Sequence, residues 1–244
     1  MRLLVFILFF AIAAEALAQP FLPHRRAAFR RSATGGGDCT VPGSPLLHET
    51  YEGAGYSNGG WTETGTGTID EDYTTSPAPL VGSQSVYFAP TSGDFVYNSH
   101  TFTSGGDRYG RAKINVVNLP SGTHTIFQFV GTATFVQEFR VYLKSSGKIS
   151  VSNGSVESSD TTDAITSGTY TIWWRFSKGS GANGVGQVGF ASDCTRPTSG
   201  TNFASVSNGT STADVNNLDH GCFGFSGTPQ IIMDEVIIDD VAID

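Results

Sequence analysis

No stretch of this chain repeats apolar residues at helical spacing, whereas apolar and polar side chains alternate again and again. Arg111-Ala112-Lys113-Ile114-Asn115-Val116 alternates, and so does Glu138-Phe139-Arg140-Val141-Tyr142-Leu143-Lys144. Side chains on a strand repeat every second residue, so Ala112, Ile114 and Val116, and Phe139, Val141 and Leu143, are expected to face a core. Gln84–Ala89, Thr123–Val130 and Tyr170–Phe176 read as further strands. Turn chemistry separates them: Leu119-Pro120-Ser121-Gly122, Ser145-Ser146-Gly147, Asn153-Gly154, Ser167-Gly168, Gly181-Ala182-Asn183-Gly184 and Asn208-Gly209. Short strands so spaced, with no helical pattern between them, predict an all-β sandwich or barrel. Thr198–Asn217 is polar and short of large apolar residues, and reads as a long surface loop or hairpin.

The N-terminus has a different character. Residues 1–18 are expected to be a signal peptide: Arg2 is the charged start, Leu3–Ala14 is an apolar run short for a membrane span, and Ala16-Leu17-Ala18 offers small residues for cleavage. The alternative is an uncleaved anchor. No other stretch is apolar enough to cross a bilayer, so no membrane insertion is expected after signal cleavage. Residues 19–45 hold the basic block His24–Arg31 and Gly35-Gly36-Gly37, as a solvated linker or a propeptide would. Residues 46–244 are then one β-sandwich domain.

Charge narrows the partners. The first 31 residues take five of the 14 Lys and Arg and one of the 22 Asp and Glu. The remainder has nine basic and 21 acidic side chains, a formal charge of −12. Nucleic acid, whose phosphates need a basic surface, is excluded as a partner. Hard cations suit such a surface, although most of these carboxylates need be no more than ordinary surface charge. Of three cysteines, Cys194 and Cys222 lie in the C-terminal third beside β-type runs and are expected to pair, leaving Cys39 free or joined to another chain. None has zinc-type spacing.

Several motifs carry a resemblance. Glu49-x-Tyr51-Glu52-Gly53 leads to Asn58-Gly59-Gly60-Trp61, Gly168-Thr169-Tyr170-Thr171-Ile172-Trp173-Trp174 forms a central strand, and Met233-Asp234-Glu235-Val236-Ile237-Ile238 closes the chain. Over about Leu46–Asp240 the sequence resembles the concanavalin A-like (laminin G-like) jelly-roll superfamily. The resemblance implies a two-sheet antiparallel jelly-roll sandwich with the first and last strands close together. It also implies a structural Ca²⁺ between those strands, for which Glu49, Glu52 and Asp234 are the candidate ligands. Such an ion needs six to eight oxygens, and these acidic residues otherwise serve as edge charges.

A ligand surface is expected on the strand Tyr170–Phe176. Tyr170, Ile172, Trp174 and Phe176 fall on one face as core, leaving Thr171, Trp173 and Arg175 on the other. Trp173 and Arg175, with Arg140 and Tyr142 if their strands are neighbours, would make a sugar-binding patch: rings stack on CH-rich faces while guanidinium groups take hydroxyls. The alternative places Trp173 under a loop. Catalysis has less to stand on, since the paired-carboxylate spacing of sandwich glucanases is absent and Glu138 is the only other acidic residue inside a good strand. The sequence reading is therefore a secreted, non-catalytic module binding a polysaccharide or glycoconjugate. Its rivals are a polysaccharide hydrolase or lyase using Glu138, and a structural or adhesive protein.

Overall fold

The computed structural model describes residues 39–53, 55–75, 79–91, 93–131, 136–224 and 226–244. The expected leader and the linker up to residue 38 lie outside the described residues. The described chain contains no helix. Its strands are β1 (Leu47–Glu49), β2 (Thr62–Gly65), β3 (Gly67–Tyr73), β4 (Ser85–Pro90), β5 (Val96–Gly105), β6 (Asp107–Asn118), β7 (His124–Gly131), β8 (Gln137–Leu143), β9 (Ile149–Asn153), β10 (Val156–Glu157), β11 (Thr169–Ser177), β12 (Gly184–Ala191), β13 (Phe203–Gly209), β14 (Val215–Phe223) and β15 (Gln230–Asp239). They form two antiparallel sheets. The eight-stranded sheet runs β13-β12-β11-β6-β15-β4-β3 with β1 beside β15, and the seven-stranded sheet runs β10-β9-β8-β7-β14-β5-β2. The fold is an all-β jelly-roll sandwich: strand spacing predicts a sandwich or barrel, and the family resemblance implies the jelly roll. First and last strands do meet, with Glu49 opposite Val236.

The core lies between the sheets, where the expected inward rows meet. Ala112, Ile114, Ile172, Trp174 and Phe176 face Phe127, Phe129, Phe139, Val141 and Leu143, all buried. Trp174 stacks on Phe127 across the core with ring centroids 4.1 Å apart. Its indole also lies over Gly110, its register partner on β6, where a Cβ would come within 2.0 Å of the ring. Thr198–Asn217 is more ordered than its composition suggests, holding β13 and the start of β14. An edge strand buries little, and Ala204 and Val206 are the inward residues of β13, too small to stand out in the sequence.

The outward face of the eight-stranded sheet is strapped. Arg111, 1 % exposed, donates through Nη1 to the main-chain oxygens of Thr40 (2.8 Å) and Asp244 (2.7 Å). Cys39 joins Cys194 in a disulfide, their Cα atoms 5.4 Å apart. Residues 39 and 40, assigned by sequence to the linker, are thus fastened to the sandwich. This corrects the expected Cys194–Cys222 pair. Cys222 is on the inward row of β14 with Leu218, buried in the core. Cys194 follows β12 on the outside of the other sheet, so half the sandwich separates the two sulfurs. Burial pushes the Cys222 thiol far up, leaving an inert apolar side chain.

Candidate functional site

The four residues expected to bind ligand divide between opposite surfaces. Trp173 and Arg175 are on β11 of the eight-stranded sheet, and Arg140 and Tyr142 on β8 of the seven-stranded sheet. They share no face, which corrects the single patch. Trp173 points outward as its spacing requires, yet is only 2 % exposed. Pro197, Arg196 and Phe203 line the recess over it. Its register partner is Gly189, whose missing side chain lets Pro197 come down onto the sheet; a Cβ there would meet the proline ring at 3.1 Å. Trp173 therefore cannot stack on a sugar.

The outward face of the seven-stranded sheet is partly open, with Thr62 exposed, Ser99 and Arg140 half-buried and Asp219, Gln128 and Ser152 buried, and the register builds one row across it. Thr62 is opposite Ser99, Ser99 opposite Asp219, Asp219 opposite Gln128, Gln128 opposite Arg140 and Arg140 opposite Ser152. Six strands at about 4.8 Å spacing make this polar row roughly 24 Å long. Asp219 is its hub. Its Oδ1 accepts from Ser99 Oγ (2.6 Å) and Asn217 Nδ2 (2.5 Å), and its Oδ2 from Gln128 Nε2 (2.7 Å). Burial raises the Asp219 carboxyl above the usual aspartate range, against the three hydrogen bonds that lower it. A desolvated carboxylate on the outer face of a strand is a candidate functional group.

A second outward row runs beside the first. Tyr142 is opposite Ser150 on β9 and Thr125 on β7, and Thr125 is opposite Phe223 on β14. Tyr97 of β5 stacks on Phe223, centroids 4.4 Å apart. All three rings are half-buried, with surface left for contact. The Tyr142 hydroxyl lies 3.2 Å from Ser152 Oγ and accepts from Arg140 Nη1 at 3.4 Å. Glu138 is on the same face, 8 % exposed, its Oε2 accepting from Ser211 Oγ at 2.6 Å. Sequence reasoning found Arg140, Tyr142 and Glu138 but missed Tyr97, Ser99, Gln128, Asn217, Asp219 and Phe223. The signal was present as alternation in Tyr97-x-Ser99-x-Thr101 and Asn217-x-Asp219-x-Gly221-x-Phe223.

The three carboxylates expected to bind calcium do two different jobs. Both oxygens of Glu49 are taken by its own loop: Oε1 accepts from the amides of Tyr51 and Ser57 and from Ser57 Oγ, and Oε2 from the Asn58 amide and Trp61 Nε1. This draws Trp61 against His220, centroids 4.8 Å apart, while the Tyr51 hydroxyl reaches His220 Nε2 at 2.6 Å. Burial holds the His220 imidazole down to about 3, with His100 adding to the effect. Tyr51 is held at φ +52°, a strained setting for a bulky residue. Glu52 and Asp234 instead converge on the segment 81–85. Glu52 accepts from Ser83 and Gln84, and Asp234 Oδ2 from the Val81 amide and Ser85 Oγ. Asp234 is fully buried, which raises its carboxyl well above the usual range. Among the described residues, no three His, Cys, Asp or Glu side chains gather as a metal-binding group.

No family model matches the sequence, and no curated protein matches it. Solved structures do match in fold. Endo-β-1,4-glucuronan lyase from the fungus Trichoderma reesei superposes with a TM-score of 0.57 at 11 % identity, over 81 % of this chain and 96 % of that one. The cellulose-induced protein Cip1 gives 0.54 at 15 % identity, over 80 % and 97 %. The binding domain of botulinum neurotoxin DC in complex with SialylT gives 0.54 at 8 % identity, over 83 % of this chain and 49 % of the other. At such identities the likeness is one of fold. The sandwich is one on which both a polysaccharide lyase and a glycan-binding domain are built.

Proposed function

We propose that this protein is a secreted glycan-binding module of the concanavalin A-like kind, whose ligand lies across the outer face of the seven-stranded sheet. One observation carries the reading: a continuous polar row, Thr62–Ser99–Asp219–Gln128–Arg140–Ser152, runs beside the rings of Tyr142, Phe223 and Tyr97. A saccharide chain has hydroxyl edges for carboxylate, amide and guanidinium groups and CH-rich faces for rings. The fold likeness to a toxin domain crystallised with SialylT supports a glycoconjugate or polysaccharide ligand. The Cys39–Cys194 disulfide fits an oxidising, extracellular compartment. A glycan array tests the reading. Selective binding that Asp219→Ala removes supports it, and an array blank for the intact protein refutes it.

A second reading is a polysaccharide lyase, favoured by the Tyr142 hydroxyl beside the Arg140 guanidinium on the same face as Gln128. There the Tyr142 phenolate would take the C5 proton of a uronate while the guanidinium and amide hold its carboxylate; the C4=C5 bond forms as the C4–O bond to the leaving sugar breaks, and the leaving oxygen takes the proton back from the phenol. Release of unsaturated uronate that Tyr142→Phe abolishes would establish it. Glu138, the acid suggested by sequence, has a lesser part in either reading because Ser211 and its burial tie it down.

A structural Ca²⁺ is proposed at Glu52 and Asp234, supported by their convergence on one segment and by the desolvation of Asp234. Chelation should lower the melting temperature. A curve indifferent to chelator and to added Ca²⁺ removes the proposal.

A further inference from the structure

The opposite surface holds groups that the glycan face does not use. Tyr109 on β6 and Arg175 on β11 are register partners, and the Arg175 guanidinium lies 5.4 Å from the Tyr109 ring centroid. The Arg196 guanidinium approaches the same ring at 5.5 Å. Two like charges are thus brought to one ring in a domain of strong negative charge. Lys144 and Lys178 pair with carboxylates elsewhere on the surface. Beneath the arginines, Trp173 Nε1 and Arg175 Nε are buried with no hydrogen-bond partner. Trp173, Arg175, Gln187 and Arg196 line one recess, with room for about one water-sized group. Each orphaned N–H costs free energy unless something accepts from it.

We infer that this recess is an oxyanion site. One oxygen of a carboxylate or sulfate enters it and accepts from Trp173 Nε1 and Arg175 Nε, while Arg196 covers the anion from outside. A neutral sugar hydroxyl would leave both guanidinium charges uncompensated, so the ligand is an anionic group such as a uronate carboxylate or a sulfate ester. Trp173, closed to stacking, acts here through its N–H alone. The inference does not depend on the opposite sheet's binding glycans.

The test is an NMR titration of the full chain that follows the three tryptophan indole N–H resonances, with Trp173 assigned by Trp173→Phe. Sodium sulfate and glucuronate are the anionic probes and glucose the neutral one. A saturable shift of the Trp173 indole with sulfate, glucuronate or both, and none with glucose, supports the site; the anion that shifts it at lower concentration identifies the preferred class. Arg196→Gln should weaken the effect at least about tenfold, the loss of a charge-assisted hydrogen bond. Lys178→Gln, removing an equal charge elsewhere, should leave it unchanged. A resonance unmoved by either anion, or moved equally by glucose, overturns the site. An equal response in Arg196→Gln reduces it to an adventitious ion only, which also overturns it. The wild-type titration decides by itself should Arg196→Gln fail to fold.

Discussion

Thr171, Trp173 and Arg175 on β11 and Glu138, Arg140 and Tyr142 on β8 are outward rows set by the same two-residue period. On β11, Trp173 is 2 % exposed and Thr171 1 %, and Arg175 alone of the row is half-open. On β8, Arg140 and Tyr142 remain half-open. Period two therefore tells which side chains leave the core, but not which of them reach solvent. That is decided by what the ends and loops of the chain lay over the sheet. Here the disulfide-tied segment at Cys39 and the Arg196–Pro197 turn close one face, and the other keeps its polar row and rings.

The largest effect separates the two neighbouring tryptophans. Trp174→Ala should destabilise the domain by about 3–5 kcal/mol in denaturant unfolding, because the ring is packed between Phe127 and Gly110. Trp173→Ala should cost less than half of that, since a surface turn can settle into the space. Equal losses would mean that the covered face is as rigid as the core, and the contrast would break.

Removing the strap comes next. Cys39→Ala with Cys194→Ala opens a loop of 155 residues and should cost about 2–4 kcal/mol of stability. Hydrogen exchange at the Trp173 indole should speed up while that at Trp174 stays slow. Unchanged exchange at Trp173 would show that the turn alone covers this face.

Adjacent residues of β14 give a smaller, pH-dependent contrast. His220 faces inward and takes a proton only near pH 3, against an ordinary 6.5. Between those values the unfolded chain binds a proton that the folded chain refuses. Its contribution is present above pH 6.5 and is lost as pH falls, approaching about 1.4 kcal/mol per unit. Asp219 faces outward with its carboxyl raised, so its contribution has the opposite sign: it is gained as pH falls toward the ordinary aspartate range. His220→Gln should flatten the acid limb of a stability–pH curve, and Asp219→Asn should steepen it. An acid limb unaltered by His220→Gln would show that other groups set it.

The sandwich was legible because Arg111–Val116 and Glu138–Lys144 alternate clearly and three more segments read as strands between turns, and because the resemblance carried by motifs at Glu49–Gly53 and Met233–Ile238 puts first and last strands together. The site was half legible. Arg140 and Tyr142 stand in an obvious strand, whereas Asp219 and Gln128 are short polar residues whose meaning comes from register across β7, β14 and β5. Register between strands far apart in sequence is not written in either strand alone. The cysteine pairing failed for a similar reason. Cys194 and Cys222 are near in sequence but belong to different sheets, while Cys39 reaches Cys194 across 155 residues.

The central claim is that the seven-stranded sheet, not the eight-stranded one, presents the glycan-binding face. The most direct measurement is the dissociation constant of the strongest uncharged array ligand, one with no group for the anion site, for Asp219→Ala and for Arg175→Gln, with melting temperatures recorded for both. Affinity should fall at least about tenfold in Asp219→Ala, which strips the hub from the polar row. It should stay within about threefold in Arg175→Gln. A tenfold loss in Arg175→Gln with Asp219→Ala unaffected, both variants being folded, would place the binding face on the other sheet and contradict the account.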